Sequence, residues 1–323
     1  MINPGQAECS VLILNYNGED LLREYIPGIR TEAKRSSCLC DIVVVDNNST
    51  DGSIQFLHEH FPEIRVEQQD QNLFLASFNT VLAKIESPYV ILLNNDIELT
   101  EGFIDTMVEE LRKPGTFAVS PTLVGLPGNE LQYSSLFPSM RNFWFSLSAP
   151  SQEMHGPVPT VLAHGGASGY NREIFLSVGG FDALYLPGYD EDLDLSYRAI
   201  KMGYGIIHMP SAVVVHGKRA TMDKYFKEKT LKRIMLRNHF LFMWKNISDA
   251  RFTMMHFLTL PFRLLANLLR GNGDLFVGFL WALKFVPDII RKRGALKMHV
   301  KYTDREIMSR FQTYWKRDFI KQF

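Results

Sequence analysis

Apolar runs alternate with amphipathic stretches over the first 112 residues. "CSVLILNYN" (9–17) is apolar until it closes on polar residues, which predicts a buried strand of the parallel type. Residues 18–35 predict a helix. "DIVVVDNNSTDGS" (41–53) predicts a second strand ending on a carboxylate, and its Ser49-Thr50-Asp51 cluster marks the start of a helix over 53–60. A short strand at 64–67, a helix at 73–85, a strand at 89–93 and a helix at 101–112, with Thr100 as its N-cap, follow. This spacing predicts a doubly wound, mostly parallel α/β sheet.

Ligands bind such sheets at the carboxyl ends of the strands. Asn15–Asn17, Asp46–Asn48 and Asn94–Asp96 all fall there. In "VILLNNDIEL" (90–99) an apolar strand runs into two amides and a carboxylate. A carboxylate at a buried strand end is costly unless a hydrogen-bond donor, a cation or a metal answers it.

The pattern weakens from 114 to 165, where Pro and Gly are frequent, and 138–160 is expected to be a loop over the active face. A short helix is expected over Glu173–Val178. "YDEDLDLSYRAIKMGY" (189–204) predicts a helix whose apolar side is Leu193, Leu195, Ala199 and Ile200. "GIIHMPSAVVVHGK" (205–218) predicts two short strands joined by Pro210-Ser211, the second ending at His216. Residues 231–290 are apolar and basic. Charges or prolines interrupt 252–270 and 275–290, so neither offers the ~20 clean apolar residues of a spanning helix. Interfacial helices, with Arg263, Arg270, Lys284 and Arg291–Arg293 at lipid headgroups, are expected instead. A helical hairpin packed on the body, or a homodimer contact, is the alternative. The expected division is therefore a catalytic domain over 1–225 and a helical, basic extension over 226–323.

Charge sharpens that division. The net formal charge is zero, yet residues 1–217 hold 12 Lys+Arg against 27 Asp+Glu and residues 218–323 hold 23 against 8. A basic tail on an acidic body suggests an anionic partner, either a phosphate-bearing substrate or a membrane surface. A nucleic-acid partner is not expected, because the basic residues sit on apolar helices without an aromatic stacking stripe. Cys9, Cys38 and Cys40 do not describe a disulfide framework, and a reducing compartment fits them. "MINPGQAECS" has no basic region followed by an apolar run, so no signal peptide is expected. The expected place is the cytoplasm, peripheral at the inner face of the plasma membrane.

Two clusters carry candidate chemistry. Asp96 and His216, each at a strand end, suit a hard divalent cation such as Mg²⁺ or Mn²⁺ that substrate phosphates complete. Each also has a plainer reading, as a helix cap and a core histidine. Asp190-Glu191-Asp192 opens a helix, where carboxylates complement the dipole. Like charges there also raise a carboxylate pKa, which suits a general base.

Taken with "SVLILNYNGEDLL" (10–22), "GGASGYNREIFLSVGGFD" (165–182) and "PSAVVVHGKRA" (210–220), these motifs resemble glycosyltransferase family 2, in its rhamnosyltransferase-like branch. The resemblance covers residues 9–220. It implies a GT-A fold and an inverting, metal-dependent transfer from a nucleotide-diphosphate sugar (UDP-, dTDP- or GDP-linked) to a saccharide or lipid-linked saccharide hydroxyl. By the same resemblance Asn15, Tyr16, Asn17, Asp46, Asn48, Asn72, Asn94 and Asn95 line the donor site. Asp96 and His216 hold the metal, Asp192 is the base, and Glu191 orients the acceptor or the base. The "GGFD" stretch (179–182) shapes the acceptor side. One stretch departs from the pattern. The family commonly has N-x-G-F-A-G-G-N where this chain has "NLFLASFN" (72–79), so Phe74, Ser77 and Phe78 stand where glycines are usual. A sugar nucleotidyltransferase is an alternative, although "LNYNGED" (14–20) lacks the basic residue usual in that class. A non-catalytic binding module on the same fold is another.

Overall fold

The computed structural model describes residues 7–125, 130–133, 135–150, 154–217 and 226–320. Residues 1–6, 218–220 of the last motif, and the stretch before the expected boundary at 225 lie outside the described residues. The first half runs β1 (Cys9–Asn15), α1 (Glu19–Arg35), β2 (Cys40–Asp46), α2 (Ser53–His60), β3 (Arg65–Gln68), α3 (Phe78–Leu82), β4 (Tyr89–Asn94), β5 (Ile97–Leu99) and α4 (Phe103–Leu111). Then come β6 (Thr116–Gly125), β7 (Glu130–Tyr133), β8 (Phe137–Arg141), β9 (Trp144–Ser148), β10 (Val158–Pro159), β11 (Ala167–Asn171), α5 (Arg172–Val178), α6 (Glu191–Lys201) and β12 (Gly205–His216). The chain closes with α7 (Glu228–Asn246), α8 (Ala250–Leu269), α9 (Asp274–Leu283), α10 (Val286–Lys297) and α11 (Asp304–Ile320).

The main sheet has the order β10-β12-β6-β11-β4-β1-β2-β3. β1, β2, β3 and β4 are mutually parallel where they pair, and β12 is parallel to β6. β11 runs antiparallel between β4 and β6, so the sheet is mixed. Val11–Ile13, Val43–Val45 and Val90–Leu93 are buried throughout. Helices cover both faces, so an unbroken apolar run is the pattern that fits. One cluster packs α1, α2 and α4 on one face; the other packs α3, α5, α6 and the C-terminal helices on the opposite face.

Register decides where the polar ends meet. Asn15 pairs with Asp46, Leu14 pairs with Asn94, and His216 pairs with Ile97. Three strand ends and the end of β12 therefore open on one edge.

Several expectations change. The stretch 138–160 is not a loop: it holds most of the β8–β9 hairpin and β10. Phe145 on β9 is buried against Tyr197 and Phe242, with ring centroids 5.5 and 4.7 Å away. A hairpin of five-residue strands is too short for alternation to reveal. The two strands expected over 205–218 are one strand, whose register slips between Met209 and Val213 around Pro210, a residue with no N–H for the ladder. The helix expected over 73–85 is a 3₁₀ turn, Phe74–Ser77, followed by the short α3. Thr100 does not cap α4; its hydroxyl donates to the Val213 carbonyl, and Gly102, at φ +76°, precedes the helix. Pro261 lies inside α8 without ending it. α8 is thus 20 residues long with a mean hydropathy of 1.3, the one described helix long and apolar enough, by length and composition, to cross a membrane.

The C-terminal helices are part of the core. Phe240, Leu241 and Phe242 of α7 are fully buried in the same cluster as Tyr197 of α6. The three cysteines are free thiols, Cys38 and Cys40 with sulfurs 3.4 Å apart.

Candidate active site

The edge where β1 and β2 end is tied by side chains. Asp46, 1% exposed, accepts from the Asn15 amide (3.0 Å), the Ser49 hydroxyl (2.6 Å) and the Ser49 N–H (2.8 Å). A carboxylate has about four lone-pair sites, so roughly one stays available to a ligand. The Asn17 N–H donates to Ser49 at 2.8 Å and its side-chain oxygen accepts from the Thr50 N–H at 2.7 Å. Asn17 and Asn48 hold φ of +48° and +66°, a region asparagine tolerates. Tyr16 is half-buried, and Asn48 is exposed at the rim.

The sequence reading missed two residues here. Ser49, assigned only to a helix start, bridges the two strand ends; the three-residue step from Asp46 was the available signal. Asn47, skipped between two candidates, is buried with its amide 3.4 Å from the Phe74 carbonyl and its side-chain oxygen unpartnered among the described residues. Asn72 turns inward on its own segment, accepting from the Phe74 N–H at 2.9 Å.

Contacts continue without a gap toward β4 and α6. The Asn95 amide donates to Asn15 at 2.8 Å, and Asn95 leads into Asp96. Asp96 is 5% exposed, with a carboxylate oxygen 3.4 Å from His216 Nε2, and the Gly217 N–H donates to its carbonyl. The hydrogen bond to Asp96 raises the pKa of His216 against the opposing effect of burial. One carboxylate and one imidazole would supply two donors to a cation. No group of three or more His, Cys, Asp or Glu side chains surrounds one point among the described residues. That donor set fits a divalent cation completed by substrate phosphates and water. Asn94, at the end of β4, packs on Gly166: a Cβ there would lie 2.4 Å from the Asn94 amide nitrogen.

The neighbouring Gly165 reaches the catalytic candidate, its N–H hydrogen-bonding Asp192. Asp192 also accepts from the Leu193 N–H at 2.8 Å. Burial raises its pKa to about 6, those two N–H groups oppose the rise, and Asp190 adds to it. Burial, then Asp192, pushes Glu191 to about 8. The Glu191 Oε2 is buried and unpartnered among the described residues. The turn before α6 holds Tyr189 and Asp190 at φ +74° and +66°. Such strain persists where surrounding structure over-determines it. Here the Asn238 amide of α7 grips the Tyr185, Gly188 and Tyr189 carbonyls at 2.7, 2.7 and 2.9 Å.

Residues 10–179, just over half of the chain, match the family described as Glycosyl transferase family 2. The chain belongs to glycosyl transferase family 2. It is 25% identical over 235 residues to the N-acetylglucosaminyl-diphospho-decaprenol L-rhamnosyltransferase of Mycobacterium tuberculosis, across 64% of this chain and 75% of that protein. It is 22% identical over 224 residues to human polypeptide N-acetylgalactosaminyltransferase 3, across 62% of this chain and 35% of that one. Among solved structures, GalNAc-T7 with UDP, GalNAc and Mn²⁺ superposes with a TM-score of 0.60 at 16% identity, across 76% of this chain and about half (49%) of that one. The mannosyltransferase PcManGT of Pyrobaculum calidifontis, with GDP-Man and Mn²⁺, superposes with a TM-score of 0.54 at 17% identity, across 99% and 88%. At that identity the two structures establish the fold, which is GT-A.

Two features of this glycosyltransferase border the site. First, Phe74 occupies φ +51° in the turn where the family pattern has glycine. Leu75 beside it presses on Gly165, with Cδ1 2.2 Å from where a Cβ would sit. Phe74, Leu75, Phe181 and Glu191 line one small cavity. A left-handed backbone favours glycine, so Phe74→Gly should be more stable than Phe74→Ala by about 1 kcal/mol in urea unfolding, reversing the usual order. An Ala variant at least as stable as the Gly variant would show the backbone is relaxed.

Second, a buried charge network ties α6 to the C-terminal helices. Asp194, fully buried, accepts from Tyr185 (2.9 Å), Arg198 (2.8 Å) and Asn246 (2.7 Å) and lies 2.7 Å from the Lys245 ammonium. Burial alone would raise its pKa; Arg198 and Lys245 more than reverse this and hold it well below the usual carboxylate range. Lys245 and Lys292 also clamp Asp182 of the "GGFD" stretch at 2.7 and 2.9 Å. Farther along α6, the buried Lys201 pairs with the buried Asp304 at 2.9 Å.

Proposed function

We propose that this glycosyltransferase moves a sugar from a nucleotide-diphosphate donor to a hydroxyl of a saccharide or lipid-linked saccharide, with inversion. The observation that carries this reading is the continuous line of contacts from Asp46 through Asn15, Asn95 and Asn94 to Gly165 and Asp192. In it Asn15, Tyr16, Asn17, Asp46, Asn48, Asn72, Asn94 and Asn95 form the donor side, with the nucleotide over the ends of β1 and β2. Asp96 and His216 would hold Mg²⁺ or Mn²⁺, which supplies charge neutralisation to the departing diphosphate.

Asp192 accepts the proton of the acceptor hydroxyl. The new bond forms between that oxygen and the anomeric carbon as the carbon–phosphate-oxygen bond breaks, and the nucleoside diphosphate leaves with the electron pair. Glu191, mostly protonated near neutral pH, can donate a hydrogen bond to the acceptor or to Asp192. Residues 1–225 carry this chemistry, and α7 and α11 brace α6 and the turn before it. The mycobacterial relative, named for transfer of L-rhamnose to a lipid diphosphate, supports a deoxyhexose donor and a lipid-linked acceptor.

Thermal-shift titration with UDP, dTDP and GDP in Mn²⁺ tests the donor side: one nucleotide should raise the melting temperature, and no response to any would overturn the assignment. For the metal, Asp96→Ala should remove the Mn²⁺ dependence of nucleotide-diphosphate binding in calorimetry. Retention of that dependence would place the cation elsewhere.

A further inference from the structure

The C-terminal hairpin of α8 and α9 presents an apolar surface that the body does not use. His256, Leu260 and Leu264 of α8 face inward. On the other side Met254, Phe257, Leu258, Phe262, Leu265 and Leu269 are 57, 51, 57, 74, 54 and 79% exposed. Their spacing, at steps of three and four, makes one stripe about 22 Å long at ~1.5 Å per residue. Phe276, Leu280 and Leu283 of the adjoining α9 are exposed as well. Only 17% of the apolar stretch of α8 is buried. Residues 250–298 hold eight Lys+Arg and two Asp+Glu, with Arg251, Arg270, Lys284 and Arg291 exposed.

We propose that this face lies in the surface of an anionic lipid bilayer, with α8 parallel to the membrane plane. An apolar stripe flanked by cations is complementary to acyl chains beneath anionic headgroups. α8 meets the length requirement for crossing, yet its other side is fastened to the body. His256 accepts from the Trp244 indole at 3.1 Å. Arg263, in the middle of the helix, sits 4.8 Å over the Trp144 ring and donates to the Asn142 carbonyl at 3.0 Å. Crossing would pull these groups out and place Arg263 in hydrocarbon, whereas lying flat keeps both faces satisfied. α9 packs on α7, whose Asn238 holds the turn before Asp192. Docking would bring a lipid-linked acceptor beside that turn, a use that rests on the transfer reaction proposed above.

The test is co-sedimentation of the full chain with phosphatidylcholine vesicles, with and without phosphatidylglycerol. The protein should pellet with the anionic vesicles, and Leu258→Glu with Phe262→Glu should weaken that binding at least tenfold or so, since each side chain contributes apolar burial. Both positions are exposed, so circular dichroism and melting temperature should match the parent. Equal binding of parent and variant, or equal binding to neutral vesicles, overturns the proposal. So does a lipid-free dimer that the same pair of substitutions dissociates, because the face would then meet a second copy. Retention in vesicles after alkaline carbonate washing overturns the in-plane arrangement. Donor turnover on a water-soluble acceptor should be the same in parent and variant. Its absence from both would count against the transfer reaction and leave the docking result intact.

Discussion

Asp192→Asn should lower sugar transfer by about 10²–10⁴-fold, the range of a lost general base, while nucleotide-diphosphate binding persists. The pH profile offers a second readout. The parent's kcat/KM should rise with pH through about 6, where Asp192 loses its proton. Asp190→Asn removes the neighbouring charge and should carry that limb to lower pH, and asparagine tolerates the φ of +66° at this position. Stability should move the opposite way from activity. Folding raises the pKa of Asp192 and Glu191, so the folded protein binds more protons and loses stability as pH rises from the usual carboxylate range toward 6–8. Asp192→Asn removes part of this cost, so it should melt higher than the parent at pH 8. Parent-like turnover would remove Asp192 from its role. An unchanged melting temperature at pH 8 would show that its carboxylate is well solvated.

Asp194→Ala should destabilise the protein by about 3–5 kcal/mol, the usual penalty for breaking a buried ion pair. The substitution removes the carboxylate that pairs with buried Arg198 and leaves buried Lys245 with Asp182 alone. The sign with pH follows from the depressed pKa. The stabilisation is complete above the unfolded value of about 4 and fades as pH falls below it. Parent and variant should therefore differ most near neutral pH and converge in strong acid, measured by urea unfolding across pH. A uniform difference at every pH would mean that the cost is lost packing rather than lost charge. Because Lys245 belongs to α7 and Asp194 sits two residues beyond Asp192, weakened catalysis should accompany the loss of stability.

The strand ends were legible because parallel strands buried on both faces leave a plain apolar run, and polar residues beyond it mark the edge where ligands bind. Asn15, Asp46 and Asp96 were singled out this way. The carboxylates of 190–192 were legible as a cluster opening a helix. The hairpin holding Phe145 and the antiparallel strand β11 were not, because each is only five residues per strand and depends on distant partners. Ser49 was read only as part of a helix start and Asn47 was passed over, since a hydrogen bond across two strand ends leaves no periodic trace.

By itself the sequence determined the alternating α/β order, the polar edge and the asymmetry between an acidic body and a basic, apolar tail. These are local or compositional properties, readable residue by residue. Only the tertiary structure decided that the basic tail is divided in use. Lys245 and Lys292 turn inward to neutralise Asp194 and Asp182, while α8 leaves its apolar stripe to solvent. Lysines of the same tail take opposite roles, Lys245 paired inside and Lys284 exposed, because burial, which no local pattern encodes, sets whether a charge must find a partner or can stay in water.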